Sequence, residues 1–198
     1  MPKVKPVTDL TKDIRPIAIT CPVSKIVEYF VDSYFSDYFT DYIDDDQFGN
    51  TKGRSTLSAL IVLTHSLFNS SDDAHNFVRV LFVDFRKAFE LIDHTVLFQK
   101  LNQYCPNHLK LWLMSFLTNR AQFIKIGNNY SPTLNSHAGA PQGTRAGPNA
   151  FKVVINDLSV PLPTIKYVDD VSIISVSNQP DNPELQNSAI YIDGALLR

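Results

Sequence analysis

The chain has 198 residues, 44% of them apolar, 19% charged and 11% aromatic, with 12 prolines and 7 glycines, a balance that suits one folded domain or a piece of one and excludes a disordered or fibrous chain. Its longest apolar runs, such as Ala59 to Leu63, fall far short of the roughly 18 residues of a membrane span, and the opening MPKVKPVTDL has no apolar core, so neither membrane insertion nor a signal peptide is expected. The net charge of −2 argues against a nucleic-acid binder, but its distribution does not: residues 100–166 carry Lys100, Lys110, Arg120, Lys125, Arg145, Lys152 and Lys166 against the single acid Asp157, while residues 32–46 carry six aspartates and no base.

Apolar residues recur in pairs every fourth position from Val23 to Ile43, which predicts a helix of about five turns behind Pro22. A glycine-containing loop, QFGNTKGR, leads to Ser55, a suitable N-cap for a second helix through Ala59, Leu63 and Leu67. The β-branched and aromatic run VRVLFVDF at 78–85 reads as a buried central strand. Pro106 separates two predicted helices, 94–104 and 107–118, and one face of the second carries Trp112, Phe116 and Leu117. QFIKIG at 122–127 alternates like a strand, and AGAPQGTRAGP at 138–148 reads as a loop of demanding geometry before a helix around Phe151 to Leu158. Ile165 to Val168 and Val171 to Val176 predict a tight hairpin with Asp169-Asp170 at its tip. These elements together predict an α+β domain with a largely antiparallel sheet covered by helices. Two cysteines, Cys21 and Cys105, form neither a CxxC pair nor a disulfide framework, so a reducing, intracellular setting is expected.

Aspartates occur in three adjacent runs. Asp44 to Asp46 and Asp72-Asp73 sit in polar surroundings that read as solvated helix or loop ends, whereas Asp169-Asp170 interrupts IKYVDDVSII and Asp84 closes VLFVDF. A carboxylate in such an apolar run is costly unless a cation compensates it. If the two strands are neighbours, Asp84 and Asp169 can bind two divalent ions about 3.5–4 Å apart, and oxygen-only ligands favour Mg²⁺, with Mn²⁺ a substitute. Such a pair serves in-line nucleotidyl transfer. Spacing alone leaves open that Asp84 and Asp170 are merely strand-end caps.

FVDFRKAFELIDH at 82–94, GAPQGTRAGPNAFKVVINDL at 139–158 and YVDD at 167–170 resemble, in order and separation, the three palm motifs of reverse transcriptases. The likeness is to non-LTR, LINE-type retrotransposon polymerases of the jockey kind, which also have counterparts of DIRPIAIT at 13–20, SKIVE at 24–28 and QFGNTKGRST at 47–56, so it runs from about residue 3 to about residue 185. The resemblance implies fingers and connecting helices over about 1–80, a palm over about 81–180, and at 181–198 the start of a C-terminal palm whose remainder, with the thumb, belongs to the full-length element. It implies Asp84 and Asp169 as principal metal and catalytic ligands, Asp170 as the third carboxylate, and two Mg²⁺ ions. Phe89 corresponds to the gate beneath the sugar, Gln142 and Gly143 to the loop against the incoming nucleotide, and Arg15 and Lys25 to the cations that hold its triphosphate. The implied partners are an RNA template, a DNA primer and deoxynucleoside triphosphates, with the 100–166 basic stretch following the phosphate backbone.

Glu90 stands where the family usually has Asp, and Thr144-Arg145-Ala146 replaces a more common Ser and apolar pair. Two other functions remain open on the sequence: a truncated, inactive retroelement remnant that at most binds nucleic acid, and another two-metal enzyme on a similar palm, such as a nucleotide cyclase.

Overall fold

The computed structural model describes residues 17–71, 75–85 and 87–178, so Arg15 and Asp72-Asp73 lie outside the described residues. In chain order its elements are α1 (Pro22–Phe39), a 3-10 turn (Thr40–Tyr42), α2 (Thr56–Ser71), β1 (Phe77–Asp84), α3 (His94–Tyr104), α4 (Asn107–Leu117), β2 (Arg120–Gln122), β3 (Lys125–Ile126), β4 (Asn129–Tyr130), β5 (Leu134–Ser136), α5 (Ala146–Ile155), β6 (Thr164–Tyr167) and β7 (Asp170–Ser177). They fall into two units interleaved in sequence, Met1–Phe35 with Phe89–Ala150 and Ser36–Ala88 with Phe151–Arg198.

The second unit is built on an antiparallel sheet of order β1-β7-β6. Helix α2 starts where its cap predicts: Ser55 Oγ accepts from the Ser58 amide at 3.1 Å, and Ser58 Oγ accepts from the Ser55 amide at 2.7 Å, so two otherwise orphaned donors are satisfied reciprocally. Ala59 joins Ile165 and Ile174 in a core cluster against which Leu63, Leu67 and Val78 pack, so the apolar stripe of α2 covers the sheet. Among the described residues strand β1 is the sheet's edge and not its centre. There it pairs only with β7, and Phe82 on it is 72% exposed, whereas β7, with a partner on each side, buries Val171, Ile173, Ile174 and Ser175. An apolar run records the tendency to form a strand but not how many neighbours the strand acquires.

The hairpin is shifted by one residue from expectation. Its two-residue turn is Val168-Asp169, and Asp170 already belongs to β7, opposite Tyr167.

In the first unit, α3 is capped by Asp93, whose Oδ1 accepts from the Thr95 and Val96 amides at 2.7 and 3.4 Å. Helices α3 and α4 bury Leu97 and Leu101, and Leu109, Leu113 and Leu117, respectively; Trp112 stacks on Phe116 with ring centroids 5.1 Å apart. The predicted strand at 122–127 is broken at 123–124, its ends pairing with different partners, β2 with β5 and β3 with β4. Helix α5 begins at Ala146, five residues before Phe151, because Pro148 falls in its first turn, where a missing N–H leaves no bond unmade. Helix α1 stops at Phe39 and buries Phe35, Phe39 and the carboxylate-bearing Glu28, while Val23, Ile26, Phe30 and Tyr34 of its periodic pattern are exposed.

Candidate active site

All three aspartates expected to hold metal lie in the second unit. Asp84 is the last residue of β1 and stands directly opposite Asp170, the first of β7. Directly opposed residues of an antiparallel pair share a face, with Cβ atoms about 4.5–5.5 Å apart, and both of these are exposed. Asp169 comes one residue earlier, in the turn, and is half-buried. Among the described residues no group of three or more His, Cys, Asp or Glu side chains is arranged to hold a metal ion. An opposed carboxylate pair is nevertheless the donor set that suits Mg²⁺, which takes one or two protein carboxylates and completes its shell with water and substrate phosphate.

The turn itself is unusual. Val168 has φ of 57°, left-handed backbone that β-branched residues rarely adopt. Beside it runs the segment 46–48, bonded to β6 by Lys166 N–H donating to the Asp46 carbonyl and Phe48 N–H donating to the Lys166 carbonyl, each at 2.8 Å. Buried Gln47 lies between them and bridges in parallel to Lys166; its Oε1 accepts from the Gly49 amide at 2.9 Å and the Val168 amide at 3.1 Å. A Cβ at Gly49 would fall 2.8 Å from the Tyr167 carbonyl carbon and closer still to Val168 N and Cγ2. Gly49→Ala should therefore push the 46–49 segment off the turn and destabilise the chain by about 1–3 kcal/mol, the usual cost of overpacking; an unchanged thermal midpoint would contradict this close approach.

Asp44 is not the solvated acid its polar setting suggests. Its Oδ2 pairs with Lys166 Nζ, whose side chain is 1% exposed and also donates to the Leu158 carbonyl, and its Oδ1 accepts from the Asp46 amide at 2.8 Å. Arg54 ties the same loop together through the Asp44, Asp45 and Gln47 carbonyls. Desolvation lifts the Asp46 carboxyl above the ordinary aspartate value, the Asp44 carboxylate lifts it further, and Lys166 opposes both.

The basic stretch at 100–166 is correspondingly less basic as a surface. Lys166 is consumed by Asp44, and Lys152, 3% exposed, donates to the Asn50 carbonyl at 2.8 Å. Arg120 donates to the Leu117 and Gly139 carbonyls at 2.9 Å, and burial lowers its guanidinium from the usual value. Charge counts along a sequence cannot tell a lysine that meets solvent from one that holds a loop.

The residues assigned to the nucleotide lie in the first unit. Gly143 has φ of 94°, which requires glycine, and the Gln142 carbonyl accepts from the Ala18 amide at 2.8 Å. The Phe89 carbonyl accepts from the Ala140 amide at 2.7 Å, and its half-buried ring approaches Gly147. Lys25 is exposed on α1. The loop between Ala140 and α5 is held by two of the residues that depart from the family pattern. Thr144 Oγ1 donates to the Pro141 carbonyl at 2.7 Å and accepts from the Gly147 amide at 3.3 Å; Arg145 donates its amide to buried Glu28 Oε2 at 2.9 Å and its guanidinium to Asp32 at 3.2 Å. His94, which has no metal-ligand spacing, bonds through Nε2 to the Gly139 carbonyl at 2.8 Å.

Sequence reasoning named the QFG and SKIVE segments as motifs but assigned no role to Gln47, Gly49 or Glu28. For Glu28 the available signal was an acid inside the apolar run IVEYFV; Gln47 and Gly49 sit in the polar stretch DDDQFGNTK, which gives none.

Residues 1–190 match the family model for reverse transcriptase (RNA-dependent DNA polymerase). The chain belongs to the reverse transcriptase family. This reverse transcriptase chain is similar to the "Probable RNA-directed DNA polymerase from transposon BS" of Drosophila melanogaster, with 29% identity over 83% of its length and 19% of the relative's. It is similar also to the "RNA-directed DNA polymerase from mobile element jockey" of the same organism, 28% identical over 54% of this chain and 12% of that one, and to the "Retrovirus-related Pol polyprotein from type-1 retrotransposable element R1" of Bradysia coprophila, 26% identical over 83% and 16%. The reverse transcriptase chain thus spans less than a fifth of the length of these relatives. Among its described residues no helix is long and apolar enough to cross a membrane.

Proposed function

We propose that this chain is the fingers-and-palm part of a retrotransposon RNA-directed DNA polymerase, joining deoxynucleotides to a DNA primer on an RNA template. Family membership supports the reaction class, and the observation that carries the site is the pairing of Asp84 with Asp170 at one sheet end, next to Asp169 in the turn. On this reading the three carboxylates would hold two Mg²⁺ ions, or Mn²⁺ in their place, which supply the charge that activates the primer 3′-hydroxyl and stabilises the departing pyrophosphate. The protein's own part is electrostatic and positional. Exposed carboxylates on one face meet a triphosphate from solvent. Arg15 and Lys25 would offer positive charge to the phosphates.

Fingers over about 1–80 and palm over about 81–180 are part of the same proposal, with Phe89 as the sugar gate. A phenyl ring rejects a 2′-hydroxyl by volume and leaves it without a hydrogen-bond partner, a cost of about 1–3 kcal/mol. Templated primer extension by a chain lengthened to match its relatives tests the reaction, and absence of any extension overturns it. In that protein Phe89→Val should raise kcat/KM for ribonucleotides relative to deoxynucleotides by about tenfold, the equivalent of about 1.4 kcal/mol in transition-state binding. Equal losses for both would reduce Phe89 to core packing.

A further inference from the structure

We propose that Gln47 is a positioning residue for the aspartates of the β6–β7 turn, holding Val168 in the left-handed conformation from which Asp169 and Asp170 follow. The inference rests on the reading of those aspartates as metal ligands, and it assigns a role to a residue that touches neither metal nor substrate.

A two-residue hairpin with positive φ at its first central position is ordinarily made with glycine there. Here that position is Val168, at φ 57°, and Asp169 does not share the positive φ. A β-branched residue persists in such backbone only where its surroundings over-determine it. Three features around Val168 do so. Gln47 Oε1 accepts the Val168 amide at 3.1 Å; the same oxygen accepts the Gly49 amide at 2.9 Å, which locks the Gln47 side chain in one orientation; and Gly49, lacking a Cβ, lets its backbone close against Val168 N and Cγ2. Gln47 is itself 1% exposed and sits in a segment bonded to Lys166 on both sides, so its amide oxygen cannot follow the turn if the turn moves. Asp169 is the next residue and Asp170, which opposes Asp84, the one after, so a rotation about Val168 displaces both aspartates relative to Asp84.

A leucine at 47 fills the same space but accepts no hydrogen bond; a glutamate keeps the acceptor. The test uses this chain, with Mn²⁺ alone as the probe, reading Val168 amide hydrogen exchange and Mn²⁺-induced broadening of backbone amides by NMR. Gln47→Leu is expected to speed Val168 exchange and to weaken Mn²⁺ binding, each by about tenfold, and Gln47→Glu to keep Val168 protected. Val168→Gly in the Gln47→Leu background should recover at least half of the lost Mn²⁺ affinity on a logarithmic scale, because glycine takes positive φ without a side-chain penalty. Wild-type Mn²⁺ affinity and Val168 exchange in Gln47→Leu overturn the positioning role. So does a double variant no better folded and no better at binding Mn²⁺ than Gln47→Leu alone. An Asp170→Asn chain that binds Mn²⁺ as well as wild type overturns instead the reading of the carboxylates as a metal site.

Discussion

Asp84→Asn and Asp170→Asn should each lower primer extension by about 10²–10³-fold or more while leaving the fold intact and slightly more stable. The loss follows from charge, since asparagine keeps the shape of the side chain but not the negative oxygen that Mg²⁺ requires, and groups aimed at developing charge are worth about this much. The gain in stability follows from the register. Asp84 and Asp170 oppose each other directly at the end of the β1–β7 ladder, and like charges so placed repel. Initial rates at saturating template, primer and nucleotide, set beside thermal midpoints of the same proteins, check both signs at once. A variant that keeps activity within tenfold of wild type removes its aspartate from the site. A variant that loses activity along with its fold shows instead that the aspartate was a strand-end cap.

A second large effect is expected at the buried ion pair, where Asp44→Ala should destabilise the chain by about 3 kcal/mol, the lower end of the cost of stranding a buried charge. The lower end applies because the Asp44 side chain is 25% exposed and the Leu158 carbonyl still accepts from the Lys166 ammonium. For a chain of this size that loss lowers the thermal midpoint by about 6–12 °C. Asp44→Ala combined with Lys166→Met should recover most of it, since a pair replaced by apolar volume is often neutral or stabilising. Melting curves of the two variants decide the matter. A single variant within 1 °C of wild type would mean that Lys166 is solvated in solution, and the bridge between the 44–48 segment and β6 would lose its anchor.

Local signals in this chain translated directly into local structure. Ser55 and Asp93 cap helices where an acceptor precedes apolar periodicity, Pro106 separates two helices, and two short β-branched runs close into a hairpin. Each depends on residues within a few positions of one another, so spacing suffices. The motifs around Asp84, Gln142 and Asp169 were legible for the same reason, and the match over residues 1–190 gives the family their order suggested.

Tertiary structure decided what depends on residues distant in sequence. VRVLFVDF has the composition of a central strand, but the placement of β7 between β1 and β6 puts it at the edge of the sheet among the described residues. Lys152 and Lys166 count as cations along the chain, yet burial with Asn50 and Asp44 more than a hundred residues away turns them into internal struts. The opposition of Asp84 to Asp170 is likewise a matter of register: one residue of slip would move one of the two to the other face, and the turn lies one residue earlier than the sequence pattern predicts. The family and the helices were therefore legible in the residues alone, because these follow from side-chain type and short-range spacing. Strand order, register and the choice of which charges are buried were decided by packing, because hydrogen-bond ladders and desolvation act between segments whose distance in space no local pattern encodes.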